Sequence, residues 1–184
     1  ECATLWQQSG HEIATIVTRN VEIAKWAEDA GHTVELHAGK LSDVTLPEAF
    51  DWLLSVANLQ IIPDAHLAKA TKGAVNFHDG PLPAYAGLNA PVWARLDGEK
   101  QHGITWHMIE GAVDEGDILV QRHFPVTERD TALTLNTKCF EAAIESFSDV
   151  IAALEAPQLP RTKQDLNVRS YFGLADRPDA GGHL

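Results

Sequence analysis

The chain has 184 residues, of which 45% are hydrophobic and 22% are charged, as is typical of one soluble globular domain. Its formal net charge of −12 disfavours a nucleic-acid partner, because such binding depends on basic side chains that neutralise phosphates. No apolar run approaches the roughly 20 residues that a membrane span needs, and no signal peptide is visible. We therefore predict a cytoplasmic protein with no membrane contact.

The first half of the chain alternates between helical and extended patterns. Residues 1–9 resemble the end of a helix, and further helices are predicted at residues 21–30 and 63–70; strands are predicted at residues 12–18, 33–37, 50–56 and 74–77. This alternation predicts an α/β fold with a largely parallel central sheet flanked by helices. Since the chain opens on helix-like residues, we expect the first strand of the sheet to be missing and the chain to be part of a larger multidomain protein.

The second half predicts a helix at residues 89–96, extended segments at 103–109 and 118–126, and a long helix at 131–154. The predicted apolar stripe of this helix consists of Leu133, Phe140, Ile144, Phe147, Ile151 and Leu154. Residues 1–157 are therefore predicted to form the main domain. Residues 158–184 are rich in proline, glycine and charge, and predict a surface-hugging extension or a linker toward a further domain.

Polar side chains follow the strand predicted at residues 74–77. Asn76 and His78 lie in the segment NFHDGPLP (residues 76–83), and residues two apart in a strand point to the same face. The downstream segment VDEGD (residues 113–117) supplies Asp114, a carboxylate that could meet the imidazole. Taken singly, Asn76 and Asp114 would be typical of a cap and a turn, and His78 of a hydrogen-bonded surface or core residue. Together they predict an acyl-transfer centre that has no side-chain nucleophile.

Acyl transfer to an amine requires donors where the oxyanion develops and an acceptor for the amine proton. The Asn76 amide can donate, His78 can donate or shuttle a proton, and Asp114 can orient the imidazole and favour its charged form. These three residues are our candidate catalytic groups. The histidines elsewhere and the two cysteines lack metal-ligand spacing, so no metal is predicted.

Several segments resemble the formyltransferase family that uses 10-formyltetrahydrofolate. HDGPLPAYAG (residues 78–87) resembles the family signature His-x-Ser-Leu-Leu-Pro-x-Tyr-x-Gly, and Asn76 matches the Asn of its Asn-x-His pair. GITWH (103–107), VDEGDIL (113–119) and LQIIP (59–63) resemble its Gly-Val-Thr strand, its Asp-x-Gly-Asp loop and the segment that lines its folate pocket. The similarity covers residues 12–154 in the family order, and implies a Rossmann-like formyltransferase fold.

The resemblance also implies roles for individual residues. Asn76 and His78 would stabilise the oxyanion, and Asp114 would set the protonation of His78 and assist proton removal through water. The implied contacts to a reduced folate, the formyl donor 10-formyltetrahydrofolate, are Leu59, Gln60 and Ile61 together with the backbone of Glu110, Gly111, Ala112, Val113 and Asp114. Gly80 and Pro81 depart from the Ser and Leu of the family, so a hydroxyl contact is lost and a stiffer loop is expected.

The segments NFHDGPLPAYAGLNAP (76–91), YFG (171–173) and DRP (176–178) most resemble formyltransferase domains of modular nonribosomal peptide and polyketide synthases, enzymes of natural product biosynthesis. The acceptor implied is an aminoacyl amine tethered to a carrier protein. The acidic charge agrees better with this acceptor than with methionyl-tRNA. A formyltetrahydrofolate hydrolase, a purine or sugar-nucleotide formyltransferase, and a non-catalytic structural module of a synthase remain open alternatives.

Overall fold

The computed structural model describes residues 1–177 of the chain. It divides into two compact units, Glu1–Val75 (the N-terminal unit) and Asn76–Leu184 (the C-terminal unit). Strand β4 (Ala70–His78) runs across the boundary between them. Among the described residues, none of the helices is both long and apolar enough to cross a membrane.

The N-terminal unit alternates helices and strands as predicted. Its elements before β4 are α1 (Cys2–Gln8), β1 (Ile16–Thr18), α2 (Val21–Asp29), β2 (Val34–Leu36), β3 (Phe50–Ser55) and α3 (Asp64–Leu67). Helix α2 begins after Asn20, whose side chain accepts hydrogen bonds from the first turn of the helix. Strands β1 and β2 pair in parallel over three residues, so β1 is shorter than the strand predicted at residues 12–18.

The main sheet has four strands in the order β3-β4-β6-β7, where β6 is Gln101–Met108 and β7 is Ile118–Pro125. Strand β4 is longer than predicted, since it begins at Ala70. Strands β6 and β7 are antiparallel, and their register shifts between Trp106 and His107, as at a β-bulge. A mixed, mainly parallel arrangement flanked by helices confirms the predicted α/β class.

The C-terminal unit adds β5 (Ala86–Gly87), α4 (Ala90–Leu96), α5 (Ala132–Glu155) and β8 (Tyr171–Phe172). Helix α5 begins with a capping box in which the side chains of Thr131 and Thr134 bond each other's backbone N–H. A buried cluster lies beside it, made of Tyr85, Ala90, Ala94, Val126 and Leu135. This packing places the loop after β4 against a helical layer.

The buried face of α5 differs from the predicted stripe. Leu133 is 74% exposed and Phe140 is 42% exposed, so both predictions of core positions were wrong. Small side chains occupy much of the buried face instead, including Cys139, Ala143 and Ser146. They let the helix approach the sheet closely, and the Ser146 hydroxyl accepts a hydrogen bond from the buried Trp106 indole at 3.1 Å.

The tail after α5 is built into the C-terminal unit as far as β8. Strand β8 pairs in parallel with β5, and Phe172 stacks on Trp93 with a ring-centroid distance of 4.3 Å. Earlier in the tail, Thr162 exchanges two backbone hydrogen bonds with Ile118 at the start of β7. Residues 178–184 of the predicted extension, including the proline of the DRP segment, lie outside the described residues.

Candidate active site

The end of β4 carries two of the predicted site residues. Asn76 and His78 are two apart on the strand, and the intervening Phe77 packs on the other side against the Trp106 ring at a centroid distance of 5.2 Å. The alternation of a strand therefore separates a core-facing aromatic ring from two polar side chains. His78 is only 5% exposed, so its polar atoms need partners within the protein.

Asp114 reaches these side chains from the loop between β6 and β7. Its Oδ2 lies 3.6 Å from His78 Nδ1, and its Oδ1 lies 3.4 Å from Nε2 of His107. Oδ2 also accepts a hydrogen bond of 2.8 Å from the backbone N–H of Gly87. His107 Nε2 in turn lies 3.3 Å from Asn76 Nδ2. The structure thus brings Asn76, His78 and Asp114 together within the C-terminal unit.

The hydrogen bonds fix which nitrogen of each histidine faces the carboxylate. His78 Nε2 is 2.8 Å from the carbonyl oxygen of Tyr85, and His107 Nδ1 is 2.8 Å from that of Met108. A carbonyl only accepts, so both of these nitrogens carry a proton. The second nitrogen of each ring therefore points at Asp114, where a proton on the ring would be stabilised by the carboxylate.

His107 is the member of the centre whose role the sequence did not reveal. It is 2% exposed, and its Nε2 can accept from Asn76 when neutral or donate to Asp114 when protonated. The register between β6 and β7 shifts next to this residue, between Trp106 and His107. The signal that could have found it is its position in GITWH, two residues after Thr105 on the strand next to β4.

The surroundings of Asp114 favour its ionised form. Burial alone would raise the pKa of this carboxyl. The hydrogen bond with His107, the charge of His78 and the N–H of Gly87 outweigh burial and hold the pKa below its ordinary value. Asp114 is therefore a buried carboxylate whose charge is compensated at both oxygens.

The loop after His78 is held by a network centred on Thr105. The Thr105 hydroxyl donates to the carbonyl of Gly80 at 2.8 Å and accepts from the N–H of Leu82 at 3.1 Å and from the Gln121 amide at 2.9 Å. These bonds explain why a threonine is useful at this place in β6. They fix the loop that closes over the site.

Gly80, which replaces the family's serine, lies against the His78 ring. A Cβ at this position would be 2.7 Å from His78 Nε2 and 3.1 Å from the Ala90 Cβ. Carbon atoms do not approach a ring nitrogen so closely without displacing it. The glycine therefore allows the observed orientation of His78, beyond the loss of a hydroxyl that the sequence predicted.

The residues predicted to contact a folate fall in both units. In the C-terminal unit, Glu110, Gly111, Ala112 and Val113 are exposed on the loop that leads to Asp114. In the N-terminal unit, Leu59 is 85% exposed and Ile61 is 73% exposed. The Gln60 side chain differs from them, because it accepts from the N–H of Leu41 at 3.2 Å and donates to the carbonyl of Gly39 at 3.3 Å.

Within residues 1–177, no group of three or more histidine, cysteine, aspartate or glutamate side chains is arranged to hold a metal ion. The polar centre consists of one carboxylate, two imidazoles and one carboxamide, and its imidazole nitrogens are all directed at protein groups. Such a set can stabilise an oxyanion and accept a proton.

This fold and this centre define a Rossmann-like domain with an Asn-His-Asp site. The formyl transferase family matches residues 5–151, and the chain belongs to that family. Over 129 residues it is 31% identical to a methionyl-tRNA formyltransferase of Geobacter sulfurreducens, a match that covers 70% of this chain and 41% of that protein. The chain thus spans less than half the length of that relative.

Solved structures with the same fold include formyltransferases of sugars. WlaRD, a sugar 3N-formyl transferase solved in the presence of dTDP and 5-N-formyl-THF, superposes with a TM-score of 0.77 at 21% identity, over 96% of this chain and 66% of that one. The N-formyltransferase of Helicobacter canadensis gives a TM-score of 0.66 at 23% identity, over 84% and 55%. HypX of Aquifex aeolicus, solved with tetrahydrofolic acid, gives 0.65 at 17% identity, over 88% and 29%.

Proposed function

We propose that this chain is a catalytic domain that transfers the formyl group of 10-formyltetrahydrofolate to an amine. The observation that carries the proposal is the buried Asp114 carboxylate, which lies between His78 and His107 beside the Asn76 amide. Membership of the formyl transferase family supports the same reaction class.

The reaction begins when the amine nitrogen attacks the formyl carbon and the formyl oxygen becomes an oxyanion. The Asn76 amide donates to this oxyanion, and the positive charge of a protonated His78 stabilises it, since Nε2 of His78 bonds a backbone carbonyl and Nδ1 faces Asp114. Asp114 stabilises the imidazolium and accepts the amine proton through water. The bond from the formyl carbon to N10 of the folate then breaks, N10 takes up a proton, and the products are a formamide and tetrahydrofolate.

Direct attack by the amine fits the site better than a covalent intermediate. The thiol of Cys139 is fully buried, and its Sγ donates to the carbonyl of Asp79 at 3.7 Å. Burial also raises the pKa of this thiol, so the nucleophilic thiolate is disfavoured. The Thr105 hydroxyl is occupied by the loop network.

The proposed folate contacts are exposed in each unit taken by itself, so that a ligand can reach them. Leu59 and Ile61 expose apolar surface in the N-terminal unit, and the loop at residues 110–113 is exposed in the C-terminal unit. Apolar walls with a few polar groups are typical of cofactor sites. In this proposal the Gln60 side chain shapes the N-terminal segment through its bonds to residues 39 and 41.

For the acceptor, we propose an aminoacyl amine tethered to a carrier protein, as in modular synthases. The NFHDGPLPAYAGLNAP segment and the net charge of −12 support this choice over a transfer RNA. An amino sugar linked to a nucleotide is the second candidate, because the superposed structures include sugar formyltransferases.

The test begins with a calorimetric titration of the domain with 5-formyltetrahydrofolate, beside the His78→Ala and Asp114→Asn variants. We expect saturable binding by the wild type. Absence of binding by a folded sample would contradict the proposal.

The second step supplies 10-formyltetrahydrofolate with an aminoacyl carrier protein, a nucleotide-linked amino sugar, a purine-precursor amine or no amine, and follows donor loss and acceptor mass. Formylation of the carrier-bound amine is the expected result, and formylation of the sugar would identify the second candidate. Donor loss without any amine would indicate a hydrolase. No donor loss by a folate-binding domain would favour a structural module.

A further inference from the structure

The backbone of Asp114 is held from outside its own loop. Asp114 has a φ of 58°, in the left-handed region that costs a residue with a side chain about 1–2 kcal/mol. Its carbonyl oxygen accepts a hydrogen bond of 2.9 Å from Nε2 of Gln164, in the tail after α5. The same amide nitrogen donates to the carbonyl of Gly116 at 2.7 Å. One side chain thus binds the carbonyls on both sides of the turn.

We propose that Gln164 is a positioning residue for formyl transfer, which holds the turn that directs the Asp114 carboxylate between His78 and His107. The inference rests on the proposed function for its catalytic meaning. Its structural content, the control of the carboxylate by a tail residue, is independent of which amine is the acceptor.

The orientation of the Gln164 amide is fixed by its partners. Both of its bonds run to carbonyl oxygens, which can only accept, so the nitrogen must face the loop. The buried Oε1 has no hydrogen-bond partner among the described residues, a cost that the two bonds of Nε2 must offset. Rotation of the amide would place an oxygen against two carbonyl oxygens, which is electrostatically unfavourable.

Two arginines of the tail, Arg161 and Arg169, anchor the segment around Gln164 to the loop that carries Asp114. Arg169 donates to the carbonyl of Val113 at 2.9 Å, and its Nε lies 3.7 Å from a Glu115 carboxylate oxygen. Arg161 pairs with Glu110 and lies 3.1 Å from the Asp117 carboxylate. These contacts attach the tail along the whole loop, so that Gln164 acts on a fixed backbone.

The tail also holds Gly87, whose backbone N–H binds the Asp114 carboxylate. The N–H of Gly87 donates to Oδ2 of Asp114, and Gly87 belongs to β5, which pairs with β8 of the tail. A Cβ on Gly87 would collide with the carbonyl of Phe172. The tail therefore fixes both the backbone of Asp114 and the amide that its side chain accepts from.

The experiment replaces Gln164 with Glu, which keeps the shape of the side chain but removes both donors. Asn167→Ala is the matched control, because Asn167 is an exposed tail residue whose side chain donates to Asp165 nearby and makes no contact with the Asp114 loop among residues 1–177. The readouts are kcat for formyl transfer at saturating substrates and the pH titration of the Asp114 carboxyl carbon by NMR.

We expect Gln164→Glu to lower kcat by about tenfold or more, since small displacements of catalytic groups cost rates of this order. In Gln164→Met, which removes the same donors without placing a charge near the carboxylate, we also expect the pKa of Asp114 to move up toward its ordinary value as the carboxylate leaves the histidines. Asn167→Ala should change neither quantity. If Gln164 only stabilised the fold, Gln164→Met would lower the melting temperature and leave the Asp114 titration unchanged.

A folded Gln164→Glu variant with wild-type kcat and an unchanged Asp114 titration would overturn the inference. If this variant does not fold, Gln164→Met removes the same donors without introducing a charge. If the wild type transfers formyl to none of the amines, the proposed function fails, and the NMR titration still decides whether Gln164 positions Asp114.

Discussion

The polar centre of the C-terminal unit is buried, whereas the apolar side chains of Leu59 and Ile61 in the N-terminal unit, here called the apolar segment, are exposed. At the centre, His78 and His107 are 5% and 2% exposed, and each ring bonds a backbone carbonyl. In the apolar segment, Leu59 and Ile61 are 85% and 73% exposed. The protein provides partners for the first group and leaves the second group in contact with solvent.

Under the proposed function, this difference separates two tasks, the chemical step and the binding of the donor. A centre whose polar atoms are already oriented needs no rearrangement when charge develops, so it should control the rate of the chemical step. Exposed apolar side chains gain free energy only when a ligand covers them, so they should control affinity. Substitutions in the two regions are therefore expected to act on different kinetic constants.

The largest effect is expected for Asp114→Asn. An asparagine at this position keeps the shape but cannot stabilise a protonated His78 or accept the amine proton, so kcat should fall by about a hundredfold or more. Binding of 5-formyltetrahydrofolate should change little, since the predicted pterin contacts in this loop are made by backbone groups. Quenched assays of formyl transfer measure kcat, and a calorimetric titration measures the affinity for 5-formyltetrahydrofolate.

If Asp114→Asn lost folate binding but kept the wild-type kcat, the polar centre would control affinity rather than the chemical step. Leu133→Ser is a suitable control, because Leu133 is 74% exposed on α5 and belongs to neither region. It should leave both kcat and affinity at wild-type values.

A smaller loss of rate is expected from Gly80→Ala and Gly80→Ser. Either side chain places a Cβ 2.7 Å from His78 Nε2, so the imidazole must move away from its bond to Tyr85. We expect kcat to fall about tenfold, in line with the cost of small displacements in an active site. The serine is the family's own residue, so a gain of activity in Gly80→Ser would show that the lost hydroxyl matters more than the crowding.

The sequence predicted the parts of this centre that follow from short-range rules. The period of two along a strand placed Asn76 and His78 on one face of β4. The VDEGD segment offered Asp114 as a carboxylate for the imidazole, and the family resemblance assigned it the same role. The alternation of helices and strands likewise predicted the α/β class. Each of these inferences depends on neighbours in the chain or on a known motif.

The parts that the sequence did not reveal depend on distant contacts. The role of His107 depends on its contacts with Asn76 and Asp114, which lie on other elements. The bond of Gln164 to Asp114 joins residues of the tail and the loop that no local pattern connects. The predicted apolar stripe of α5 was wrong at Leu133 and Phe140, which are exposed, because small residues such as Ala143 form much of the buried face. Apolar periodicity favours large side chains and overlooks close packing of small ones.

An effect on affinity alone is expected for Leu59→Ser and Ile61→Ser. Each change removes apolar surface worth about 1.5 kcal/mol when a ligand covers it, which corresponds to roughly tenfold in Kd for the folate. The rate at saturating donor should stay within about twofold of the wild type. Because both side chains are exposed, melting temperatures should not change measurably, so weaker binding could not be attributed to unfolding.

The smallest effect concerns stability in acid, and it again distinguishes the two regions. The pKa of Asp114 is below its ordinary value, so its carboxylate stabilises the folded state at neutral pH, and this stabilisation is lost as the pH falls through the lowered pKa. The gap in melting temperature between the wild type and Asp114→Asn should therefore persist above about pH 5 and narrow below about pH 4. The gap between the wild type and Leu59→Ser should be near zero over the whole range, since Leu59 has no titrating partner. A gap for Asp114→Asn that narrowed already above pH 5 would mean that the carboxylate is not held in its ionised form by the two histidines, and calorimetric scans over this range would show it.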